Sequence, residues 1–332
     1  MSRSISRTLG AVAVAAALTV SLAACDGKKA PAGSADAGGQ HKLVFGFSQV
    51  GAESGWRSAN TKSIQDAAKA AGFELKFSDA QQKQENQIAA IRSFIQQKVD
   101  VIGFSPVVTT GWDTVLKEAK AAGIPVILTD RAVDTQDKTL YKSFIGSDFV
   151  KEGTSAGQWL VDAEKSATGP VNIAELEGTT GSAPALDRKK GFEDVVLKDP
   201  KFKIIADQTG DFTRAKGKEV MEAFLKAHKD INILFAHNDD MAVGAIQAIE
   251  EAGLKPGTDI KIVSIDGIKD AFQAMADGKI EEVVECNPLI GPQIMDLVQK
   301  IHDKQDVSDR VLSKEGVFTK DQAAAELPNR QY

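Results

Sequence analysis

Cysteine is scarce in this sequence, with two residues in a chain of 332. Exported domains that depend on disulfides carry several pairs, and two cysteines cannot form such a framework. The fold must therefore rest on a hydrophobic core. The composition, 42% hydrophobic and 26% charged, is that of an ordinary globular protein, and the length suggests about two domains.

The sequence also lacks the patterns that mark most metalloproteins and enzymes. Its four histidines, at positions 41, 228, 237 and 302, have no metal-ligand spacing. No run of alternating Asp and Asn could form a calcium loop, and there is neither a nucleophile elbow nor a glycine-rich phosphate loop. We therefore expect no metal, no cofactor and no catalytic residue. One alternative stays open, because Glu53 with Asp130 or Asp266 could imitate the carboxylate pair of a glycosidase.

Residues 1–24 predict an export signal. Arg3 and Arg7 precede an apolar run without acidic residues, which is too short for a membrane-spanning helix. The run ends in Leu-Ala-Ala-Cys, which resembles the lipobox of bacterial lipoproteins. The resemblance implies cleavage before Cys25, a lipid on Cys25 and an unpaired Cys286. A plain cleavage site is the alternative interpretation.

Removal of this signal makes the chain more acidic. It takes away two arginines and changes the formal net charge from −6 to −8. An acidic protein outside the membrane has no net electrostatic attraction to nucleic acid, which is itself negatively charged. Asp26 resembles the residue that retains lipoproteins at the inner membrane, and the composition of residues 25–41 predicts a flexible tether.

From position 43 onward, apolar strand-like runs alternate with helix-like segments, and the alternation occurs twice. This pattern is typical of doubly wound parallel sheets and predicts an α/β fold of two such domains. A pocket between two domains is a common place for a small ligand. The predicted strands are 43–47, 73–77, 99–104, 124–129, 142–147, 171–176, 202–206, 231–236 and 260–265. The predicted helices are 57–71, 84–97, 112–122, 150–165, 183–198, 213–228 and 239–252.

Polar side chains follow several of these strands, where open α/β sheets carry their ligands. Asp130 and Arg131 come directly after a buried strand, and one offers only acceptors while the other offers only donors. A neutral ligand with many hydroxyl groups needs both kinds. A surface ion pair of little energetic value is the alternative.

Other polar and aromatic residues recur in similar positions. Trp56 is either a stacking platform for a sugar ring or a core anchor, and Arg57 is a candidate donor. Asp211 and Asp239 suit helix N-termini, and we assign them as N-caps. Asn238 and Asp266 are further candidates near strand ends, and Arg188 is a candidate inside a helical stretch.

The chain from about position 43 resembles the periplasmic sugar-binding proteins of ABC transporters, in the ribose- and galactose-binding group. The resemblance is carried by the segments 124–131, 187–192, 210–214, 236–245 and 264–267. Within that group, the segments 46–57, 81–87 and 105–112 are similar to the galactofuranose-binding branch.

The resemblance implies a type I periplasmic binding protein fold, in which two doubly wound lobes are joined by a three-segment hinge. It places residues 42–145 with 286–312 in the N-terminal lobe, and residues 146–285 with 313–332 in the C-terminal lobe. It also implies the ligand-binding residues. These are Glu53, Ser54, Trp56, Arg57, Asp130 and Arg131 in the first lobe, Arg188, Phe212, Asn238 and Asp266 in the second, and Glu285 near a crossover.

Trp56 and Arg57 stand where ribose binders place two aromatic rings, which favours a furanose over a flat pyranose. The implied function is a monomeric extracytoplasmic receptor on the periplasmic side of the cytoplasmic membrane, anchored at Cys25. It captures a monosaccharide, galactofuranose in this branch, and delivers it to the permease subunits of an ABC transporter. The alternatives are a sugar sensor for a chemoreceptor or kinase and a glycoside-acting enzyme. A repressor of the LacI type shares the fold, but it needs a DNA-binding headpiece where this chain has its export signal.

Overall fold

A computed structural model describes residues 42–332. The predicted export signal, the tether and Cys25 lie outside the described residues. Among the described residues, no helix is long and apolar enough to cross a membrane.

Strands and helices alternate along most of this part of the chain. The strands are Val44–Gln49 (β1), Glu74–Asp79 (β2), Val101–Phe104 (β3), Val126–Thr129 (β4), Ser143–Gly146 (β5), Val171–Glu177 (β6), Phe202–Thr209 (β7), Ile233–Ala236 (β8), Lys261–Asp266 (β9), Glu282–Glu285 (β10), Arg310–Leu312 (β11) and Val317–Thr319 (β12). The helices are Gly55–Ala70 (α1), Gln84–Gln96 (α2), Asp113–Ala121 (α3), Phe149–Ala163 (α4), Ala183–Val196 (α5), Arg214–Ala227 (α6), Asp239–Glu251 (α7), Lys269–Ala276 (α8), Gly291–His302 (α9) and Lys320–Glu326 (α10). Single turns of 3-10 helix occur at Lys138–Leu140 and Leu327–Asn329.

The strands form two six-stranded sheets, with the orders β11-β5-β4-β3-β1-β2 and β12-β10-β9-β8-β6-β7. Neighbouring strands are parallel, except that β10 and β12 are antiparallel. The predicted architecture of two doubly wound, mainly parallel sheets is confirmed. The sequence analysis missed the short elements after position 268, namely α8, β10, α9, β11, β12 and α10.

The chain passes between the two sheets three times, because β5 and β6, β10 and β11, and β11 and β12 lie in different sheets. Helix α4 packs against α5 of the second lobe, and α9 packs against α1 of the first. The linking segments are therefore short, at 147–148, 286–290 and 313–316. The residue bounds of the two lobes given above stay a prediction.

Buried apolar side chains cover both faces of each sheet, as continuous apolar strands require. In the first lobe, one cluster around Phe104 and Trp112 lies under α2 and α3, and a second around Phe45 and Ile294 lies under α1 and α9. A larger cluster around Phe235 forms the core of the second lobe.

Helices α4 and α5 approach each other through glycines. A Cβ atom on Gly153 would lie 2.1 Å from the carbonyl oxygen of Arg188, and one on Gly191 would lie 2.2 Å from that of Val150. These positions have no room for a side chain because the two backbones are in contact there. The contact fixes the turn of α5 that carries Arg188.

Two of the predicted helix caps are wrong. The N-cap of α7 is Asn238, whose side chain accepts from the backbone N–H of Met241, so Asp239 is the first residue inside that helix. The N-cap of α6 is Thr213. Asp211 precedes it in a tight turn with a positive φ of 53°. Asp239 instead accepts hydrogen bonds from Ser264 and from the backbone N–H groups of residues 267 and 268.

Glu282 on β10 is buried, and neither of its carboxyl oxygens has a hydrogen-bond partner among residues 42–332. Burial raises the pKa of Glu282 from its ordinary value of 4.5 to about 9. When folding raises the pKa of an acid, the folded protein loses stability as the pH rises from the pKa of the acid in the unfolded state toward its pKa in the folded state. We therefore expect Glu282→Gln to gain stability over the wild type between about pH 5 and 9, by up to about 1.4 kcal/mol per pH unit. Urea unfolding across that range measures the difference, and parallel stability curves for the two proteins contradict the expectation.

Candidate functional site

Arg57 connects the first loop of the chain to the end of β4. It lies in the first turn of α1, which Ser54 caps by accepting from the backbone N–H of Arg57. Its guanidinium donates through Nε to Glu53 at 3.0 Å and lies 2.6 Å through Nη2 from Asp130 Oδ2. Burial lowers the pKa of Arg57, but the two carboxylates outweigh that effect and raise it. Arg57 therefore stays charged and holds both carboxylates in place.

Asp130 occupies a strained position at the end of β4. Its φ of 61° is in the left-handed region, which side-chain-bearing residues adopt at a cost and often at functional sites. Gly146 on β5 permits it, because a Cβ there would lie 2.7 Å from the Asp130 carbonyl oxygen. The Asp130 carboxylate also accepts from Ser105 Oγ at 3.0 Å.

Arg131 follows directly and points to the same region. Its Nη1 donates to the carbonyl oxygen of Val107 at 3.3 Å, and its guanidinium lies 5.3 Å above the ring of Phe212 from the other lobe. Burial, followed by the nearby charge of Arg57, lowers the pKa of Arg131 to about 10. The side chain remains cationic at neutral pH.

Arg188 on α5 is the corresponding cation of the second lobe. It donates to Glu152 Oε2 at 2.7 Å and to the carbonyl oxygen of His237 at 2.5 Å, and it lies 3.5 Å from Asp266 Oδ1. Burial lowers the pKa of Arg188, but its interactions with Glu152, Cys286 and Asp266 are stronger, so the pKa is raised overall. Burial also raises the pKa of Asp266, which Arg188 partly offsets.

Asn238 and Phe212 form a further wall from the second lobe. Asn238 caps α7 with its oxygen and donates through Nδ2 to the carbonyl oxygen of Phe212 at 3.2 Å. The Phe212 ring lies against Gly178, where a Cβ atom would be 1.9 Å from Cζ. Phe212 also has a positive φ, 61°, so this wall is held in one position.

Trp56 is a core anchor, and its role as a stacking platform for a sugar stays a prediction. It lines the cavity between the lobes, and it also packs into the core cluster of the second lobe with 5% of its surface exposed. Its indole N–H donates to the carbonyl oxygen of Cys286 at 2.6 Å. The ring is therefore fixed in position and presents an apolar face.

These side chains line a small cavity between the lobes. Ten of the eleven predicted ligand-binding residues line it. The sequence analysis missed Phe149, Pro184 and Cys286. They lie where α4 begins, where α5 begins and just after β10, and no local pattern distinguishes them from packing residues. The complete lining is Glu53, Ser54, Trp56, Arg57, Asp130, Arg131, Phe149, Pro184, Arg188, Phe212, Asn238, Asp266 and Cys286.

Glu285 is the predicted site residue that does not line this cavity. Its carboxylate accepts from Arg330 at 2.8 Å and from the backbone N–H of Gly316 at 3.0 Å. At the end of β10 its side chain points toward the third linking segment, and the next residue, Cys286, faces the cavity instead. Alternation of side chains along a strand explains the difference.

Two hydrogen bonds donated by backbone N–H groups join the lobes outside the cavity. The N–H of Gly55 donates to Asp240 Oδ2 at 2.7 Å, and the N–H of Thr109 donates to the carbonyl oxygen of Gly181 at 2.9 Å. We call this pair of hydrogen bonds the rim contacts. They hold the lobes together. The side chains of the charged residues in the lining have at most 5% of their surface exposed.

The lining balances its charges, with three guanidinium groups and the three carboxylates of Glu53, Asp130 and Asp266. Two buried polar atoms of the lining, Glu53 Oε2 and Arg131 Nε, have no hydrogen-bond partner in the described part of the chain. Buried polar atoms are normally paired, so an unpaired acceptor and donor in a cavity point to a ligand that supplies both. The geometry suits a small neutral ligand with several hydroxyl groups.

Comparisons with known proteins identify the family of this chain. Residues 45–305 match the periplasmic binding protein domain. The chain is 49% identical to the galactofuranose-binding protein YtfQ of Escherichia coli over 294 residues, which are 87% of this chain and 92% of that protein.

Two solved structures are similar over most of their length. A protein from Mycobacterium smegmatis in complex with β-D-fucofuranose is 63% identical, with a TM-score of 0.86 over 87% of this chain and 95% of that one. The binding component of the arabinose ABC transporter from Shewanella sp. ANA-3, bound to α- and β-L-arabinofuranose, is 50% identical, with a TM-score of 0.84 over 87% and 96%. With its two-lobed fold and the matched residues 45–305, the chain belongs to the periplasmic binding protein domain family.

Proposed function

We propose that this protein is the solute-binding receptor of an ABC transporter and captures a monosaccharide in its furanose form, galactofuranose or a close relative. The unpaired Glu53 Oε2 and Arg131 Nε in a buried, charge-balanced cavity carry the proposal. Sugar hydroxyl groups can donate a hydrogen bond to Glu53 Oε2 and accept one from Arg131 Nε. Charged partners make the stronger hydrogen bonds, which favours a tight and oriented complex.

The five-membered ring is favoured by the shape of the lining and by the relatives. The guanidinium of Arg57, which Glu53 and Asp130 hold, lies 4.6 Å over the ring of Trp56 and covers one of its faces, so the indole offers a sugar a single apolar face. The three relatives are named for or bound to galactofuranose, β-D-fucofuranose and L-arabinofuranose. These sugars share the configuration of the ring carbons and differ in the arm outside the ring. We therefore propose that the cavity selects the ring and tolerates a shortened arm.

We propose no catalytic role for the carboxylates. Both Glu53 and Asp130 accept from the buried guanidinium of Arg57, whereas a general acid needs a proton that it can give to the substrate. Binding and release then fit a receptor whose lobes close on the sugar, because a ligand favours the conformation in which it makes more contacts.

Sugars locked in one ring size test this proposal. We expect methyl β-D-galactofuranoside to bind the ligand-stripped protein at least tenfold more tightly than methyl β-D-galactopyranoside, because the pyranoside misplaces its hydroxyl groups against buried partners, at about 1–3 kcal/mol each. Titration calorimetry with the two glycosides measures the ratio, and neither should be hydrolysed during the experiment. Tighter binding of the pyranoside contradicts the ring assignment but not the receptor, whereas no binding of either contradicts both.

Members of this family act outside the cytoplasmic membrane, and we propose that this chain is held there by a lipid on Cys25. Leu22-Ala23-Ala24-Cys25 supports this proposal. Labelling of cells with radioactive palmitate should tag the wild type and leave Cys25→Ser unlabelled. Equal labelling of both proteins would exclude the lipid anchor. We further propose a monomer that delivers its sugar to the permease subunits of an ABC transporter.

A further inference from the structure

The three segments that link the lobes bring three acidic or thiol side chains together. Glu152 lies in the first turn of α4, after the first linking segment, Cys286 begins the second and Glu315 lies in the third. One ligand atom from each residue, two carboxylate oxygens and the sulfur, lies within 4.8 Å of the others. We call these residues the hinge cluster.

Hydrogen bonds from neighbouring residues hold the side chains of the hinge cluster in place. The Glu315 carboxylate accepts from Ser313 Oγ at 2.7 Å, from the backbone N–H of Asn287 at 3.2 Å and from Ser147, whose Oγ also lies 3.2 Å from Cys286 Sγ. These contacts use polar groups from all three linking segments to hold the donors in place.

One atom of the cluster lacks a partner. Glu152 is 2% exposed, and its Oε1 is buried without a hydrogen bond in the part of the chain that the structure describes, while Oε2 is paired with Arg188. Glu152 and Glu315 also line a second cavity outside the sugar cavity. That cavity is lined by four carboxylates, those of Asp148, Glu152, Glu285 and Glu315, and by one cation, Lys151. An acidic cavity leading to an unpaired carboxylate oxygen favours a positively charged ligand.

We propose that the hinge cluster is a Zn²⁺ site. Two carboxylates and a thiol are donors that Zn²⁺ accepts, whereas Ca²⁺ and Mg²⁺ take oxygen ligands alone. Around tetrahedral Zn²⁺, oxygen donors are about 3.3 Å apart and an oxygen and a sulfur donor about 3.5 Å apart, as Zn–O and Zn–S bonds of about 2.0 and 2.3 Å require. The three atoms, now within 4.8 Å of one another, must draw closer when the ion binds, and water takes the fourth position.

Formation of a Zn–S bond requires the Cys286 thiol to give up its proton. Zn²⁺ binds the thiolate, so binding at neutral pH forms the Zn–S bond and releases the Cys286 proton to the buffer.

The calorimetric test uses chelator-treated protein and ZnCl₂. We expect one strong site per chain in the wild type, with an enthalpy that changes with the ionisation enthalpy of the buffer. Glu315→Gln should weaken binding at least tenfold, since loss of even an outer-shell partner of a metal typically costs about 10–100-fold. Glu285→Gln is the matched control, because Glu285 lines the same cavity but lies outside the cluster. It should stay within about twofold of the wild type on the same scale.

Substitution of cobalt(II) for zinc shows directly whether the Cys286 sulfur binds the metal. Co²⁺ added in place of Zn²⁺ should give a thiolate-to-cobalt charge-transfer band in the near ultraviolet, and Cys286→Ser should abolish it. Absence of Zn²⁺ binding, an equal loss in Glu315→Gln and Glu285→Gln, or a band that survives in Cys286→Ser overturns the proposal.

Discussion

Arg188→Ala is expected to abolish most sugar binding, with a loss of at least a hundredfold, or about 2.7 kcal/mol. Arg188 contacts Glu152, the carbonyl oxygen of His237 and Asp266 before any ligand is present. Its removal therefore leaves two buried carboxyl groups without their cation and one wall of the cavity without support. Breaking a buried ion pair by removing one partner typically costs about 3–5 kcal/mol. We therefore also expect a lower melting temperature for the sugar-free protein.

Lys190→Ala is the matched control, on the same helix and two residues away. Lys190 pairs with Asp194 at the surface, where ion pairs contribute little. It should bind sugar like the wild type and melt close to it. Titration calorimetry and thermal unfolding measure both properties. Binding of Arg188→Ala within tenfold of the wild type would falsify the role assigned to Arg188.

Gly153→Ala is expected to lower the free energy of unfolding by about 3 kcal/mol, at the upper end of the usual cost of overpacking. Its new methyl group would lie 2.1 Å from the Arg188 carbonyl oxygen, which is main chain and cannot rotate away. Helices α4 and α5 must separate to admit it. Because that separation also displaces Arg188, sugar affinity should fall together with stability.

Gly169→Ala provides the comparison for this substitution. A Cβ atom at Gly169 meets no heavy atom within 4 Å, so the change adds a methyl group without a clash. Its unfolding curve in urea should overlay that of the wild type. Equal stability of Gly153→Ala and Gly169→Ala would show that α4 and α5 can separate at no cost.

The sequence predicted those parts of the site that depend on local patterns. Asp130 and Arg131 were found because an unbroken apolar strand ends directly before them, and the carboxyl ends of parallel strands gather at one edge. The resemblance to sugar-binding proteins added Glu53, Ser54 and Phe212, which line the same cavity. The cap of α7 was misassigned because Asn238 and Asp239 are equally suited to that position, and only the backbone conformation distinguishes them.

Features that depend on contacts between distant segments could not be predicted. Whether Glu285 or Cys286 faces the cavity depends on the phase of β10, a strand of four residues whose alternation the sequence does not reveal. The hinge cluster takes its donors from positions 152, 286 and 315. A search for metal-ligand spacing within one loop cannot find such a set, which is why the sequence indicated no metal.

The rim contacts affect how long a sugar stays bound without affecting which sugar the protein prefers. The bonds from Gly55 to Asp240 and from Thr109 to Gly181 involve none of the residues that line the sugar cavity. They must break before any sugar escapes, so they slow the dissociation rate of every sugar that allows the lobes to close by the same factor. Residence time can therefore change through substitutions at the rim while the ranking of sugars stays constant. A receptor built this way can be tuned to the turnover of its permease without altering what it carries.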